Sequence, residues 1–598
     1  MKDLKYALLV ILLAVTCFSQ QLSAAQPNNN LQAVLAEIFA DYNERQLRRD
    51  PIEATYRGDH RFDDRLPRAS TAADLAADVE HDQQLLAGLS GIPTASISNQ
   101  QRLSLGLLKY ELSRSVARYN SGVANYQRMV PFNQMYGLPT TLAQLATTDG
   151  AQPFNTPADY RRWLQRAGHF PAWVDQTIEN MREGIASGLV HPDIIVDKML
   201  PTIASLASEK GSKHLFYQPI TAIPASFSAI EKKQLTSEYL AMINQQVQPA
   251  YAKLYRFLRT EYRAKSRSTV GLLALPAGED YYRDAVAEYT TTTLTPEQIH
   301  QQGKALTLSI FEQMKAIKQE VGFAGDMAAF FHYLRTDPRF YYTSEQQLLD
   351  SYRELKAVLA PRLNRLFLTV PAADYEVRAV EPFLQKSAAA ASYQQPSADG
   401  SRPGIFYVNT YDLPARPNFE REALSLHEAA PGHHFQVSFA MEQQNLPEFR
   451  RWAFNAAYVE GWALYAESLG TELGLYSDPY QRLGALYLSI WRANRLVIDT
   501  GIHHYGWSRQ QAIDWMMRYS PVSDTDASAE VERYIAWPGQ ALSYMTGAVK
   551  IQQLREQAAA QLGNRFDVRE FHQQILASGP LPLSMLEQKI NRWVQQEK

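Results

Sequence analysis

Apolar residues recur at helical spacing from about residue 31 to residue 263, as in Leu31-Val34-Leu35-Ile38-Phe39 and Leu103-Leu107-Leu108-Leu112. This spacing predicts an all-helical first half. Clusters of Pro, Gly and polar residues at 58–67, 131–139 and 150–157 mark loops within it. A boundary is expected near Pro276-Ala277-Gly278, just before the pair Tyr281-Tyr282. Thr295, Pro296 and Gln298 then have the chemistry of a helix start: a capping hydroxyl, a first-turn proline and a side chain that closes a capping box. Thr343 with Gln346 repeats the signal. Strand-like text is confined to 375–380 and 404–410, and the pattern after Phe419 is helical almost to the end. No internal repeat is evident, and the alanine run at 388–391 is the sole low-complexity tract. The expectation is a mainly α protein with a small β-sheet beside the segment that follows Phe419. The division expected is 26–290, an N-terminal helical region, and 291–598, a C-terminal region carrying the chemistry.

With 598 residues, 45% of them hydrophobic and 20% charged, the chain has the balance of an ordinary folded protein. Its formal charge of -3 supplies no field to gather polyanions, which argues against nucleic acid as a partner. The N-terminus stands apart. Lys2 and Lys5 precede an uncharged run at 6–18, followed by Ser23, Ala24 and Ala25. This order predicts a signal peptide at 1–25, cleaved after Ala25, and a periplasmic or secreted protein with no transmembrane segment in the mature chain. The run is too short to span a bilayer as a mature helix. The alternatives are a retained anchor, or a lipid anchor if Cys17 is modified, although Ala14-Val15-Thr16 is a poor lipidation match. Cys17 is the one cysteine, so cleavage after Ala25 leaves neither a disulfide nor a thiol nucleophile, and any metal must be bound by nitrogen and oxygen.

Three of the 13 histidines fall within His427-Glu428-Ala429-Ala430-Pro431-Gly432-His433-His434. Imidazole and carboxylate are common ligands of catalytic zinc, and a Glu directly after a ligand His is placed to act as general base. The usual spacing puts the second His four residues on, but that position here is Pro431. On a straight helix His434 would share a face with His427 about 10 Å along the axis, too far for one ion. Pro431 cannot donate to the His427 carbonyl, so the helix must bulge or break at Pro431-Gly432. His433 is favoured as the second ligand, with His434 the alternative. The third ligand expected is Glu460, which stands seven residues from Glu467 on the otherwise apolar segment 458–467. Two buried carboxylates need a cationic partner, and a zinc ion is one. Separately, these residues have blander readings, as a capped helix end and an ordinary ion pair.

The motifs at 427–434, 458–467, 499–503 and 538–544 resemble those of the bacterial family known as domain of unknown function 885, and the similarity extends to 50–60, 131–139, 402–410 and 571–582. Many of its members are labelled candidate lipoproteins. The resemblance implies a zinc metallopeptidase with a glutamate as third ligand, and a helical, two-lobed body around a deep cleft.

Other residues carry two readings each. Tyr544 is a candidate oxyanion donor or a core tyrosine. Arg495, Arg533 and Tyr534 are candidates for a peptide carboxylate, or partners in buried ion pairs with Asp499 or Glu532. His503 is a further catalytic candidate, or pairs with Asp499 one turn back. Residues 404–410 form either a sheet edge that accepts substrate backbone or a buried strand. The function expected is hydrolysis of peptide or related amide bonds, with metal-activated water and Glu428 as general base. The rivals are a serine hydrolase, for which no Gly-x-Ser-x-Gly exists, and a periplasmic binding or assembly protein with a structural metal or none.

Overall fold

Helix starts foreseen from capping chemistry are found in the computed structural model, which describes residues 27–148, 150–380, 385, 389–397 and 402–598. The leader at 1–25 and Cys17 lie outside the described residues. Thr295 and Gln298 exchange side-chain and backbone hydrogen bonds, with Pro296 in the first turn. The start expected at Thr343 with Gln346 is shifted by one residue. Ser344 is the cap and accepts from the Gln347 amide, while Thr343 bonds the Gln347 side chain. Both hydroxyls are competent caps, and the later start is the one that buries Leu348, Leu349, Tyr352 and Leu355.

The protein is mainly helical. Seven helices position the chemistry: α1 (Pro296–Glu320), α2 (Arg421–Glu428), α3 (His433–Met441), α4 (Ala456–Ser468), α5 (Pro479–His503), α6 (Asp524–Ala536) and α7 (Ser543–Leu562). Helix α5 packs along α1 and α6, and α4 packs along α7. Two large apolar clusters form the interior. One joins α1, α4 and α7 to the sheet. The other joins helices between residues 138 and 262 to Ile498 and Ile502 of α5 and to α6, so the interior continues across residue 290.

The sheet has three strands, β1 (Tyr375–Ala379), β2 (Ala391–Gln394) and β3 (Gly404–Val408), in the order β1-β3-β2. β1 runs parallel to β3 and β2 antiparallel to it. The sheet adjoins α2 and α3 through β2. The possibility that 404–410 forms an edge for substrate backbone is overturned, because β3 is central and paired on both sides. β2 was not foreseen, since four residues beside an alanine run carry too little alternation to read as a strand. Among the described residues no helix is long and apolar enough to cross a membrane.

Several histidines are buried as neutral rings bonded to the backbone or to hydroxyls. Burial pushes His191, His300, His434 and His572 down to about 4, and His503 down to about 3. An unfolded histidine titrates near 6.5, so below that pH the unfolded chain binds protons that the folded one refuses. The stability these rings contribute is therefore complete above about pH 6.5, and falls by about 1.4 kcal/mol per histidine for each pH unit between there and about pH 4. We expect the melting temperature to drop by on the order of 10 °C between pH 7 and pH 5. A flat thermal-melt series over that range would count against this burial.

Candidate metal centre

Helix α2 ends at Glu428, two residues before the cis Ala430–Pro431 peptide. Residues 429–432 then fold back over the end of the helix. A Cβ on Gly432 would lie 1.9 Å from the His427 carbonyl oxygen and 2.3 Å from that of Leu426, so only glycine fits. The Trp462 indole N–H donates to the Pro431 carbonyl at 2.8 Å and pins the turn to α4. Helix α3 restarts at His433, so the chain breaks rather than bulges. The His433 ring meets that of His427 edge-on, with centroids 4.8 Å apart.

Glu460 comes from α4. Its Oε2 lies 3.7 Å from His427 Nε2 and 3.4 Å from His433 Nε2. One ligand atom from each of the three residues lies within 4.8 Å of the others, the one such cluster of potential metal ligands among the described residues. Bonds of about 2.0–2.2 Å to a tetrahedral zinc would separate two ligands by about 3.3–3.6 Å, so the set fits with small adjustments. The Glu460 Oε2 atom is buried and has no hydrogen-bond partner among the described residues. Burial alone would raise the Glu460 pKa, but the facing imidazoles hold it well below the usual carboxylate range. Burial alone would lower His427, but Glu460 and Glu467 outweigh it and raise it to about 9. Two imidazoles and an acid thus enclose a point where positive charge is stabilised, as a proton or as a metal ion.

Glu467, seven residues on from Glu460, accepts from His427 Nδ1 at 2.8 Å. That bond sets the ring's tautomer and turns Nε2 toward Glu460. The sequence pointed to Glu467 only as a second buried carboxylate on the same face, and its role appears in this contact. Glu428 is buried, and its carboxylate makes no hydrogen bond among the described residues. Tyr544 lies beside the cluster, its ring nearly parallel to that of His427 with centroids 6.4 Å apart. Its hydroxyl oxygen accepts from Arg533 at 3.3 Å and from Gln540 at 3.4 Å, which leaves its own proton free to donate.

Arg495 and Arg533 converge on the same tyrosine, their guanidinium carbons 4.3 and 5.9 Å from its ring centroid. Their acidic partner is Glu530, at 3.3 and 3.4 Å, and not Asp499 or Glu532 as expected. Asp499 instead accepts from the Tyr282 hydroxyl and the Gly539 amide, while Glu532 pairs with Lys198 and Arg509. Glu530 stands three residues before Arg533 and four before Tyr534, the helical spacing that could have identified it. Tyr534 donates its hydroxyl to Glu530 at 2.7 Å, so it braces that carboxylate.

Two other candidates are placed elsewhere. His503 is fully buried, Nδ1 accepting from the Leu272 amide and Nε2 donating to the Tyr534 carbonyl, so neither nitrogen is left for catalysis or for Asp499. His434 donates from Nε2 to the Ala373 carbonyl and accepts at Nδ1 from the Tyr393 hydroxyl. Consecutive helical residues point about 100° apart, which directs His433 to the cluster and His434 to the sheet.

The model of the family described as "bacterial protein of unknown function (DUF885)" matches residues 51–590, and the chain belongs to that family. No curated protein matches the sequence. Among solved structures, a candidate lipoprotein from Colwellia psychrerythraea is 28% identical, with a TM-score of 0.86 over 95% of this chain and 99% of that one. A candidate lipoprotein of unknown function from Shewanella oneidensis shares the fold at 19% identity, with a TM-score of 0.66 over 94% of this chain and 99% of that one.

The crossing of α4 and α7 holds Glu460 and Tyr544 in one place. A Cβ on Gly461 would sit 2.4 Å from the Gly547 Cα, and one on Gly547 would sit 1.9 Å from the Ala457 carbonyl oxygen. Backbone meets backbone, so no side chain can yield. Gly461→Ala should destabilise the protein by about 1–3 kcal/mol through overpacking. Denaturant unfolding would measure this, and an unchanged midpoint would refute the close crossing.

Proposed function

We propose that this protein is a zinc-dependent peptidase, with the ion held by His427, His433 and Glu460. The observation that carries the reading is their convergence on a buried, otherwise unpartnered Glu460 oxygen, across a break at Pro431 and Gly432 whose second position admits only glycine. His427, His433 and Glu460 would hold the ion, which would supply Lewis-acid polarisation of a carbonyl and acidify a water for attack at neutral pH. Glu428, adjoining the ligand His427 and free of competing hydrogen bonds, accepts the proton of the attacking water at its carboxylate and delivers it to the leaving amine. Tyr544 donates its hydroxyl proton to the carbonyl oxygen as charge develops there. Glu467 keeps the His427 ring in the orientation this requires. The two-lobed body around a cleft, with a peptide lying between the lobes, belongs to the same reading.

The protein purified without chelator should hold about one zinc per chain, measured by elemental analysis. Glu460→Ala and His433→Ala should lose it, and His434→Ala should keep it. Glu428→Gln should retain the metal while hydrolysis of a responsive peptide falls about 100-fold to 10,000-fold, the usual contribution of a general base. Full activity in Glu428→Gln would exclude the mechanism, and a chain that takes up no divalent metal would exclude the class.

We also read the protein as exported, from the charged start, the apolar run and the small residues before Gln26. The likeness to a candidate lipoprotein fits secretion or lipid anchoring. Mass spectrometry of the mature protein should find Gln26 at its N-terminus. A lipidated Cys17 would identify a lipoprotein, and an intact Met1 would reject export.

A further inference from the structure

We propose that Arg495 and Arg533 form a seat for the free α-carboxylate at the C-terminus of a peptide, so that the metal centre removes residues from that end. The proposal rests on the peptidase reading above. It begins from a charge imbalance: two guanidiniums share the single carboxylate of Glu530. Asp499, the other acid near Arg533, is occupied by Tyr282 and Gly539, and burial pushes it up to about 7. Arg495 is only 5% exposed, yet its Nη1 is buried without a hydrogen-bond partner among the described residues. A guanidinium left with spare donors and excess positive charge in such a place is suited to a carboxylate, which it grips through two parallel bonds. Keeping two guanidiniums here costs desolvation that apolar side chains of similar volume would avoid.

The distance to the chemistry selects among peptide groups. Arg495 packs on the Tyr544 ring, which lies beside His427. The guanidinium is thereby within about 11 Å of the His427 ring, a gap filled by the contacts at both ends and one or two residues of about 3.3–3.6 Å each. A carboxylate in the seat thus places the last or penultimate amide bond at Glu428 and Tyr544. Arg533 bonds both Tyr544 and Gln540, so the group that binds the terminus also positions the donor for the carbonyl oxygen. In the reaction the amide C–N bond breaks and the water oxygen joins the acyl carbon. A proton from that water passes through Glu428 to the amine of the departing residue, whose carboxylate remains on the arginines.

Two measurements test this on the full mature chain. In calorimetry, N-acetylphenylalanine should bind the zinc-loaded protein and N-acetylphenylalanine amide should not. Arg495→Met, with folding checked by circular dichroism, should erase the difference while zinc content stays unchanged. In digests followed by mass spectrometry, a peptide with a free C-terminus should be shortened from that end. Its C-terminally amidated counterpart should react at least about 100-fold more slowly, the discrimination of a buried polar site against an analogue that leaves it unpaired. Equal binding of acid and amide, or equal cleavage of the two peptides, overturns the seat while leaving the hydrolase standing. Acid-selective binding that is lost in Arg495→Met, without hydrolysis of any peptide, upholds the seat and counts against the peptidase reading alone.

Discussion

An ionised carboxylate does not remain in an apolar interior without a positive partner, and α4 buries Glu467 and the Oε2 atom of Glu460 among Ala, Val, Trp, Leu and Tyr. The elements around α4 can be understood as the answer to that demand. Helix α2 brings His427 against both Glu460 and Glu467. The break after Glu428 brings His433, and α5 brings Arg492, 3.9 Å from Glu467. Removing one cation would leave a buried charge exposed to its full desolvation cost, so the site and the core around it stand or fall together.

The same demand explains what could be read from the sequence. Glu460 was legible as one of two acids at helical spacing on an apolar segment, and His427 as the first of three closely spaced histidines. That His433, rather than His434, would turn toward His427 was legible through Pro431, whose missing N–H forbids a continuous helix. Cap chemistry placed the start at Thr295, but at residue 343 two adjacent hydroxyls compete and packing makes the selection. β2 is too short for periodicity to register. The centrality of β3 depends on which strands pair, a long-range fact that no local pattern carries. The seating of His503 escaped for a related reason, since it depends on α5 and α6 lying side by side.

Helices α4 and α7 meet backbone to backbone at Gly461 and Gly547, a separation set by atoms that cannot change rotamer. Glu460 is adjacent to that contact and Tyr544 lies one turn before it, so their separation is governed by main chain. Arg495 and Arg533 then hold to Tyr544 from α5 and α6. Side chains of α2, α5 and α6 thus reach the phenol carried by α7, and the groups around it share a frame more rigid than any single side chain.

Pro431 and Gly432 separate the identity of the clustered imidazoles from their spacing in the chain. A search keyed to two histidines four residues apart passes over this chain, because its second imidazole arrives through a turn. The break also leaves α3 free to point in a direction of its own, and the adjacent pair His433 and His434 fixes its rotation about its axis. One ring is claimed by the acid of α4 and the other by Tyr393 of β2 and the carbonyl of Ala373. Turning α3 by one residue would exchange the two rings and satisfy neither environment. The small sheet, which contributes no residue to the cluster of His427, His433 and Glu460, thereby sets the rotation that turns His433 toward Glu460.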